Sequence, residues 1–129
     1  MALRRVVIVA AGLSIAAGAG MILGGQSGGG RQATRREPQF ENEQVRVWKS
    51  IIMPEQPLTF HRHDHGRVLI ALTDGRLKVV DPDMKEIDLY VWQRGKAYWL
   101  AADPPGKLHA DLNQGGEPVE VIVVELRRD

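Results

Sequence analysis

The sequence predicts an all-β domain, a small barrel or sandwich, behind an apolar N-terminal segment. Three observations carry that reading. From Phe40 onward, short alternating or apolar runs are broken by turn residues about every 8 to 12 positions, the spacing of sandwiches and barrels. No stretch of that region repeats its apolar residues at helical period. The length of 129 residues allows one domain and leaves no room for a second.

The N-terminus comes first. Val6 to Leu23 contains no charged residue and follows Arg4 and Arg5. Export signals are built this way, with the cations held at the cytoplasmic face while the apolar helix enters the membrane. Ala17-Gly18-Ala19 offers a cleavage pattern. An uncleaved transmembrane helix is the alternative: about 20 apolar residues span a bilayer, and Met21-Ile22-Leu23 brings the run close to that. Its many Gly and Ala residues contribute little transfer free energy and weigh against a strong anchor. Residues 1–23 are therefore expected to be a signal peptide or membrane anchor, and the rest to be periplasmic, either secreted or held at the inner membrane. The start of this run also resembles the strand and turn of a dinucleotide-binding unit. Ala10 and Ile15 stand where two of its glycines must be and no βαβ pattern follows, which excludes it. Residues 24–38 read as a linker, a glycine-rich tether followed by a polar run whose arginines could touch anionic headgroups.

The β domain is expected over residues 39–129. Val45-Arg46-Val47-Trp48 alternates, and apolar Ile51-Ile52-Met53 follows. Pro57-Leu58-Thr59-Phe60 leads into the histidines. Arg67 to Thr73 is strongly apolar and ends at Thr73-Asp74-Gly75, a hairpin-type turn. Arg76 to Val80 runs to a turn at Asp81-Pro82-Asp83, and Glu86 to Trp92 alternates as far as Gln93-Arg94-Gly95. Lys96 to Leu100 and Lys107 to Leu112 are short strands around a loop at 101–106, and Val119 to Leu126 is the clearest strand of all.

Charge separates the two pieces. The chain carries 17 basic and 16 acidic residues, a net +1, which gives no basic excess for nucleic acid. Residues 1–30 hold two of the basic residues and no acid, so residues 31–129 hold 15 basic against 16 acidic groups. Cysteine is absent, which excludes disulfides, thiolate metal sites and cysteine nucleophiles.

The four histidines carry the chemistry. His61, His63 and His65 stand at alternate positions, and on an extended strand alternate side chains share a face. His61 and His63 should converge, with His65 joining if the strand continues that far. His109, on another expected strand, could lie opposite them across a barrel. Clustered imidazoles bind Zn, Cu, Ni, Fe or Mn. A surface strand with exposed histidines is the other reading.

At this point the spacing resembles the cupins, small jelly-roll barrels with two motifs, G-x5-H-x-H-x(3,4)-E-x6-G and G-x5-P-x-G-x2-H-x3-N. Pro104, Gly106, His109 and Asn113 meet every fixed position of the P-x-G-x2-H-x3-N part, while His61, His63 and Gly75 fit the first motif. The resemblance covers residues 40 to 127 and implies a small single-domain, type-2-like conserved barrel, with His61, His63 and His109 as metal ligands. It departs from the pattern in three places. Glu55 stands where a glycine is expected, the second motif's opening glycine is best placed at Gly95, and the metal-binding glutamate falls on Arg67 or Val68. The fourth position is thus left to His65 or to water. Three neutral imidazoles suit Zn, Cu or Ni better than the harder Mn.

Alternation places Val68, Ile70 and Leu72 on one face of their strand and Arg67, Leu69 and Ala71 on the other. The Val68 face is expected inward, because arginine is rarely buried unpaired. Asp111, two residues from His109, is a candidate for orienting that histidine from behind. Tyr90 and Tyr98 either pack the core or line a ligand pocket. Neither Ser27 nor Ser50 has an expected base beside it, so no catalytic residue is named. The functional expectation is an exported metal-binding cupin, enzymatic or not, with a small molecule at the barrel mouth. A metal-free ligand-binding or scaffold domain is the alternative, and a periplasmic metal sensor or carrier is a third. Resemblance to the cupins also implies a homodimer.

Overall fold

A computed structural model of the chain describes residues 32–128. The expected export segment and the glycine-rich part of the linker lie outside the described residues. Eight strands follow in order: β1 Arg35–Glu41, β2 Val45–Ile52, β3 Arg67–Ala71, β4 Gly75–Val80, β5 Glu86–Trp92, β6 Ala97–Leu100, β7 Ala110–Asn113 and β8 Val119–Leu126. Among the described residues there is no helix, and so none long and apolar enough to cross a membrane.

The strands form two antiparallel sheets, one of order β1-β2-β8-β3-β6 and one of order β5-β4-β7. Each sheet turns an apolar face to the other. Trp48, Ile52, Leu69, Ala71, Leu77, Trp92, Val119, Val121 and Val123 meet between them as the buried core. Trp48 and Val123 are register partners, as are Val123 and Leu69, so the core of the larger sheet runs straight across its three central strands.

Three expectations change here. Polar residues 35–38, read as linker, form the start of β1, which pairs with β2 at the sheet edge. An edge strand needs no apolar face, and Pro38 sits at the register shift, where its missing N–H costs nothing. The two apolar runs at 45–53 are one strand, since β2 pairs with β1 on one side and β8 on the other. The run Pro57 to Phe60 forms no strand. Pro54 and Pro57 lack the donors a ladder requires, and the only β-bridges of residues 53–66 run from Pro54 to Asn113 and from His61 to His109.

The motif residues shared with the cupins hold turns. Asn113 is buried and its amide donates to the Ile52 and Glu117 carbonyls, while its Oδ1 accepts from Gly115 N–H. Gly75 opens β4 against Val119, and a Cβ there would lie 2.7 and 2.9 Å from the two Val119 methyls. Gly75→Ala is expected to destabilise the domain by about 1–3 kcal/mol through overpacking, and Val119→Ala to recover part of that loss. Urea denaturation of the single and double variants measures both effects.

Candidate metal centre

The site begins with backbone. His61 N–H donates to the His109 carbonyl at 2.9 Å and His109 N–H to the His61 carbonyl at 2.8 Å. This reciprocal pair fastens the irregular segment after β2 to the residues leading into β7. His63, two residues on, donates its N–H to Asp103 Oδ2 at 2.6 Å, and Asp103 N–H returns a bond to the His63 carbonyl at 2.8 Å. Gly106 then takes a positive φ of 73° in the Pro104-Pro105-Gly106 turn, a conformation glycine adopts at little cost, and the chain comes back to His109.

The three rings face one another. Centroids of His61 and His109 are 4.6 Å apart, those of His61 and His63 5.0 Å, and those of His63 and His109 5.7 Å. One ring nitrogen from each lies within 4.8 Å of the other two. His63 and His109 are 7% and 5% exposed.

Each Nδ1 is directed at an acceptor. His61 Nδ1 meets the Thr59 carbonyl at 2.7 Å, His63 Nδ1 meets Glu125 Oε2 at 2.7 Å, and His109 Nδ1 lies 3.3 Å from Asp103 Oδ2. Carbonyl and carboxylate oxygens only accept, so in their hydrogen bonds Nδ1 of His61 and His63 carries the proton and Nε2 presents a lone pair; His109 Nδ1 faces the Asp103 carboxylate at ion-pair distance and is assigned the same tautomer on that ground. The Nε2 atoms of His61 and His109 are buried with no partner. Imidazoles that bind a metal almost always have the far nitrogen fixed in this way.

Electrostatics favours the ligand form. Burial lowers the His61 pKa to about 4, against an opposing hydrogen bond to Thr59 and with repulsion from His109 and Arg36 added. Burial also lowers His109, and Asp103 only partly opposes it. Glu125 would be raised by burial, but the His63 hydrogen bond and the charges of Arg67 and Arg46 bring it below its usual range.

Charged groups enclose the cluster, and one expectation is reversed. Arg67, Leu69 and Ala71 face inward and Val68 and Ile70 outward. Arg67 is only 3% exposed because it is answered: Nη1 donates to the Ala101 carbonyl at 3.1 Å, and Glu125 is its register partner on β8. Arg36 of β1 lies over the Trp48 ring, 4.9 Å from its centroid. An internal cavity of about 30 Å³ is lined by His61, His63, Arg36, Arg67, Tyr90 and Asp111 among others, space for one or two waters. Outside it, a groove of about 820 Å³ shares Arg36, Trp48 and His63 with that cavity.

The expected site residues thus separate. His61, His63 and His109 come together, and His65 lies outside their group, on the wall of the outer groove, because the chain bends at Asp64 and His65. Asp111 does not hold the back of His109; Asp103 does, and Asp111 Oδ1 instead lies 4.0 Å from His109 Nε2. Tyr90 lines the cavity and stacks on Trp92, whereas the Tyr98 hydroxyl accepts the Gln93 N–H and its ring packs against the core. Sequence reasoning missed Asp103, Glu125 and Arg36. The one available signal, the inward parity of Glu125 with Val121 and Val123, emerges only once β8 is known to pair with β3.

Comparison with solved structures bears on this arrangement. A cupin domain from Bordetella pertussis matches with a TM-score of 0.63 at 23% identity, over 78% of this chain and 99% of that one. The chain has the cupin fold. A Cupin 2 conserved barrel protein from Salinispora arenicola matches at 0.52 and 20% identity, over 74% and 76% of the two chains. An RmlC-like cupin with a double-stranded β-helix fold from Methanocaldococcus jannaschii matches at 0.54 and 14% identity, over 75% and 84%. No family model and no curated protein matches. The cupin barrel therefore accounts for the jelly-roll layers, and the chemistry of its mouth rests on this chain's own residues.

His61 and Asp111 pull the stability of this domain in opposite directions. With a folded pKa of about 4 against 6.5, His61 leaves the unfolded chain holding more protons, so its contribution is full above pH 6.5 and is lost as pH falls toward 4. Burial raises Asp111 from 3.8 to about 6, so its contribution is full below pH 3.8 and is lost as pH rises through 6. Urea melts of chelator-treated protein between pH 4 and 6.5 are expected to show stability climbing more steeply in Asp111→Asn than in wild type. Parallel profiles would mean that Asp111 is not held as described.

Proposed function

We propose that the chain is an exported cupin that binds one divalent metal ion through His61, His63 and His109 and offers it to a small molecule at the barrel mouth. One observation carries the reading. Three imidazoles converge with each Nδ1 committed to an acceptor, and two of their Nε2 atoms are buried without a partner. Buried polar atoms are ordinarily satisfied, and a cation is the partner that several converging lone pairs share.

The donor set fits such an ion. Thr59, Glu125 and Asp103 hold the three rings in the tautomer a ligand requires, and burial keeps His61 and His109 neutral. When bound, the ion supplies Lewis acidity toward an oxygen of the small molecule. The inner cavity, at about 30 Å³, has no space for an organic ligand beside the histidines, so such a ligand would approach from the outer groove. Elemental analysis of the full-length protein after reconstitution with Zn²⁺ is expected to give about one equivalent per chain, and His61→Ala or His109→Ala about a tenth of that or less. Wild type without metal after reconstitution would favour the metal-free ligand-binding reading.

Two further parts of the reading concern location and assembly. Export rests on Arg4, Arg5 and the uncharged run to Leu23, and a C-terminal reporter that matures only in the periplasm is expected to be active. A homodimer rests on the outer face of the larger sheet. There Ile70 and a 59% exposed Trp99 stand beside Val68, Ile122 and Val124 across three strands. A contiguous apolar face of this kind marks an interaction surface. Light scattering is expected to report a dimer for wild type and a monomer for Trp99→Glu, and a monomeric wild type would remove this part.

A further inference from the structure

We infer that Asp111 is a fourth protein donor to the ion, supplying from β7 the carboxylate that β3 lacks. The inference rests on the metal-binding reading of the three histidines and adds to it a residue outside the set whose ligand atoms all lie within 4.8 Å of one another.

Three observations converge on Asp111. It is 9% exposed, and its Oδ1 is buried with no hydrogen-bond partner. That oxygen lies 4.0 Å from His109 Nε2, itself buried and unpartnered. Among the described residues no arginine comes within ion-pair distance of it, although Arg36 and Arg67 line the same cavity. His109 carries its proton on Nδ1, toward Asp103, so the two facing atoms are both lone-pair donors with no hydrogen between them. Two such acceptors turned toward each other out of bulk solvent are costly unless a cation or a hydrogen-bond donor bridges them. Ligand bonds of about 2.0–2.2 Å put donor atoms roughly 3.4 Å apart on a tetrahedral ion and up to about 4.2 Å apart when they are trans, so one ion spans this gap with His109 and Asp111 on nearly opposite sides of it.

The surrounding charge agrees. Arg67 lines the same cavity as His61, His63 and Asp111, and its guanidinium opposes a cation. Asp103, Asp111 and Glu125 together outnumber Arg36 and Arg67 by one negative charge, so the enclosure still favours a cation. Three imidazoles with one carboxylate also widen the class of ion, since oxygen donors suit Fe²⁺, Co²⁺ and Mn²⁺ better than imidazoles alone.

Co²⁺ binding to the full-length protein tests this, read by chelator competition and by visible absorption. Asp111→Asn is expected to weaken Co²⁺ at least about tenfold and to change the absorption spectrum. Arg67→Met should bind Co²⁺ as tightly as wild type or more so. Arg67→Met/Asp111→Asn, which leaves no unbalanced guanidinium to disturb folding, should keep the weakened affinity and the altered spectrum. Recovery of wild-type affinity and spectrum in that double variant would overturn the inference, because Asp111 would then serve only to balance Arg67. So would an Asp111→Asn protein that binds Co²⁺ like wild type while His61→Ala does not bind, an outcome that leaves the histidine reading intact. A wild type that takes up neither Co²⁺ nor Zn²⁺ overturns both.

Discussion

The reciprocal main-chain hydrogen bonds between His61 and His109 tie a segment with no strand of its own to the start of β7. Residues 53–66 contain two prolines and only isolated bridges, so little else fixes their path across the mouth of the barrel. Antiparallel partners that exchange both bonds sit side by side, with their side chains on one face. The ring contact between His61 and His109 therefore follows from backbone pairing. His63 is carried in by alternation and held by the two bonds it exchanges with Asp103. Asp103 also faces the ring of His109, so one carboxylate positions two of the three imidazoles.

That arrangement concentrates buried ionisable groups beside an apolar core. Without disulfides the fold depends on packing, and the wall from Trp48 through Val123 to Leu69 provides it. The buried ionisable groups are tolerable because nearly every one has an answer. Glu125 accepts from His63, Arg67 donates to a carbonyl, and Arg36 covers the Trp48 face. Among the described residues His61 Nε2, Arg62 Nε, His109 Nε2 and Asp111 Oδ1 are the exceptions; His61 and Asp111 line one cavity, and His109 Nε2 faces Asp111 Oδ1. A buried network with a few converging orphans differs from one with scattered orphans, since a single small partner can satisfy the first kind.

Much of this was legible in the sequence, and each failure has its own physical cause. Strands β4, β5, β6 and β8 emerge from the sequence because their apolar or alternating runs are bounded within a few residues by turn-forming Gly, Pro, Asp or Asn. Strand β1 escapes because an exposed edge needs no apolar pattern, and the Pro57 run misleads because apolar character alone does not supply N–H donors. His61, His63 and His109 are readable from spacing. Their supports are not, since Glu125 reaches His63 across 62 residues and Asp103 reaches it across 40. The orientation of β3 fails for an electrostatic reason. Arg67 looked too costly to bury, yet a partner on β8 and a carbonyl after β6 make the inward face affordable while Val68 packs outward beside Trp99.

The reversal of β3 also changes what an arginine at that position accomplishes. Glu125 is opposite Arg67 in the register and points to the same side, so the guanidinium helps hold the carboxylate ionised. The ionised carboxylate accepts the Nδ1 proton of His63, which leaves the Nε2 of that ring basic and available. A cation on β3 thus acts on the histidine cluster indirectly, by charging the acceptor behind one of its rings. The same cation cannot coordinate, so a carboxylate donor for the proposed ion has to come from another strand that reaches the same space. β7 is the strand that does so, because the pairing that aligns His109 with His61 also turns Asp111, two residues on, to the same face.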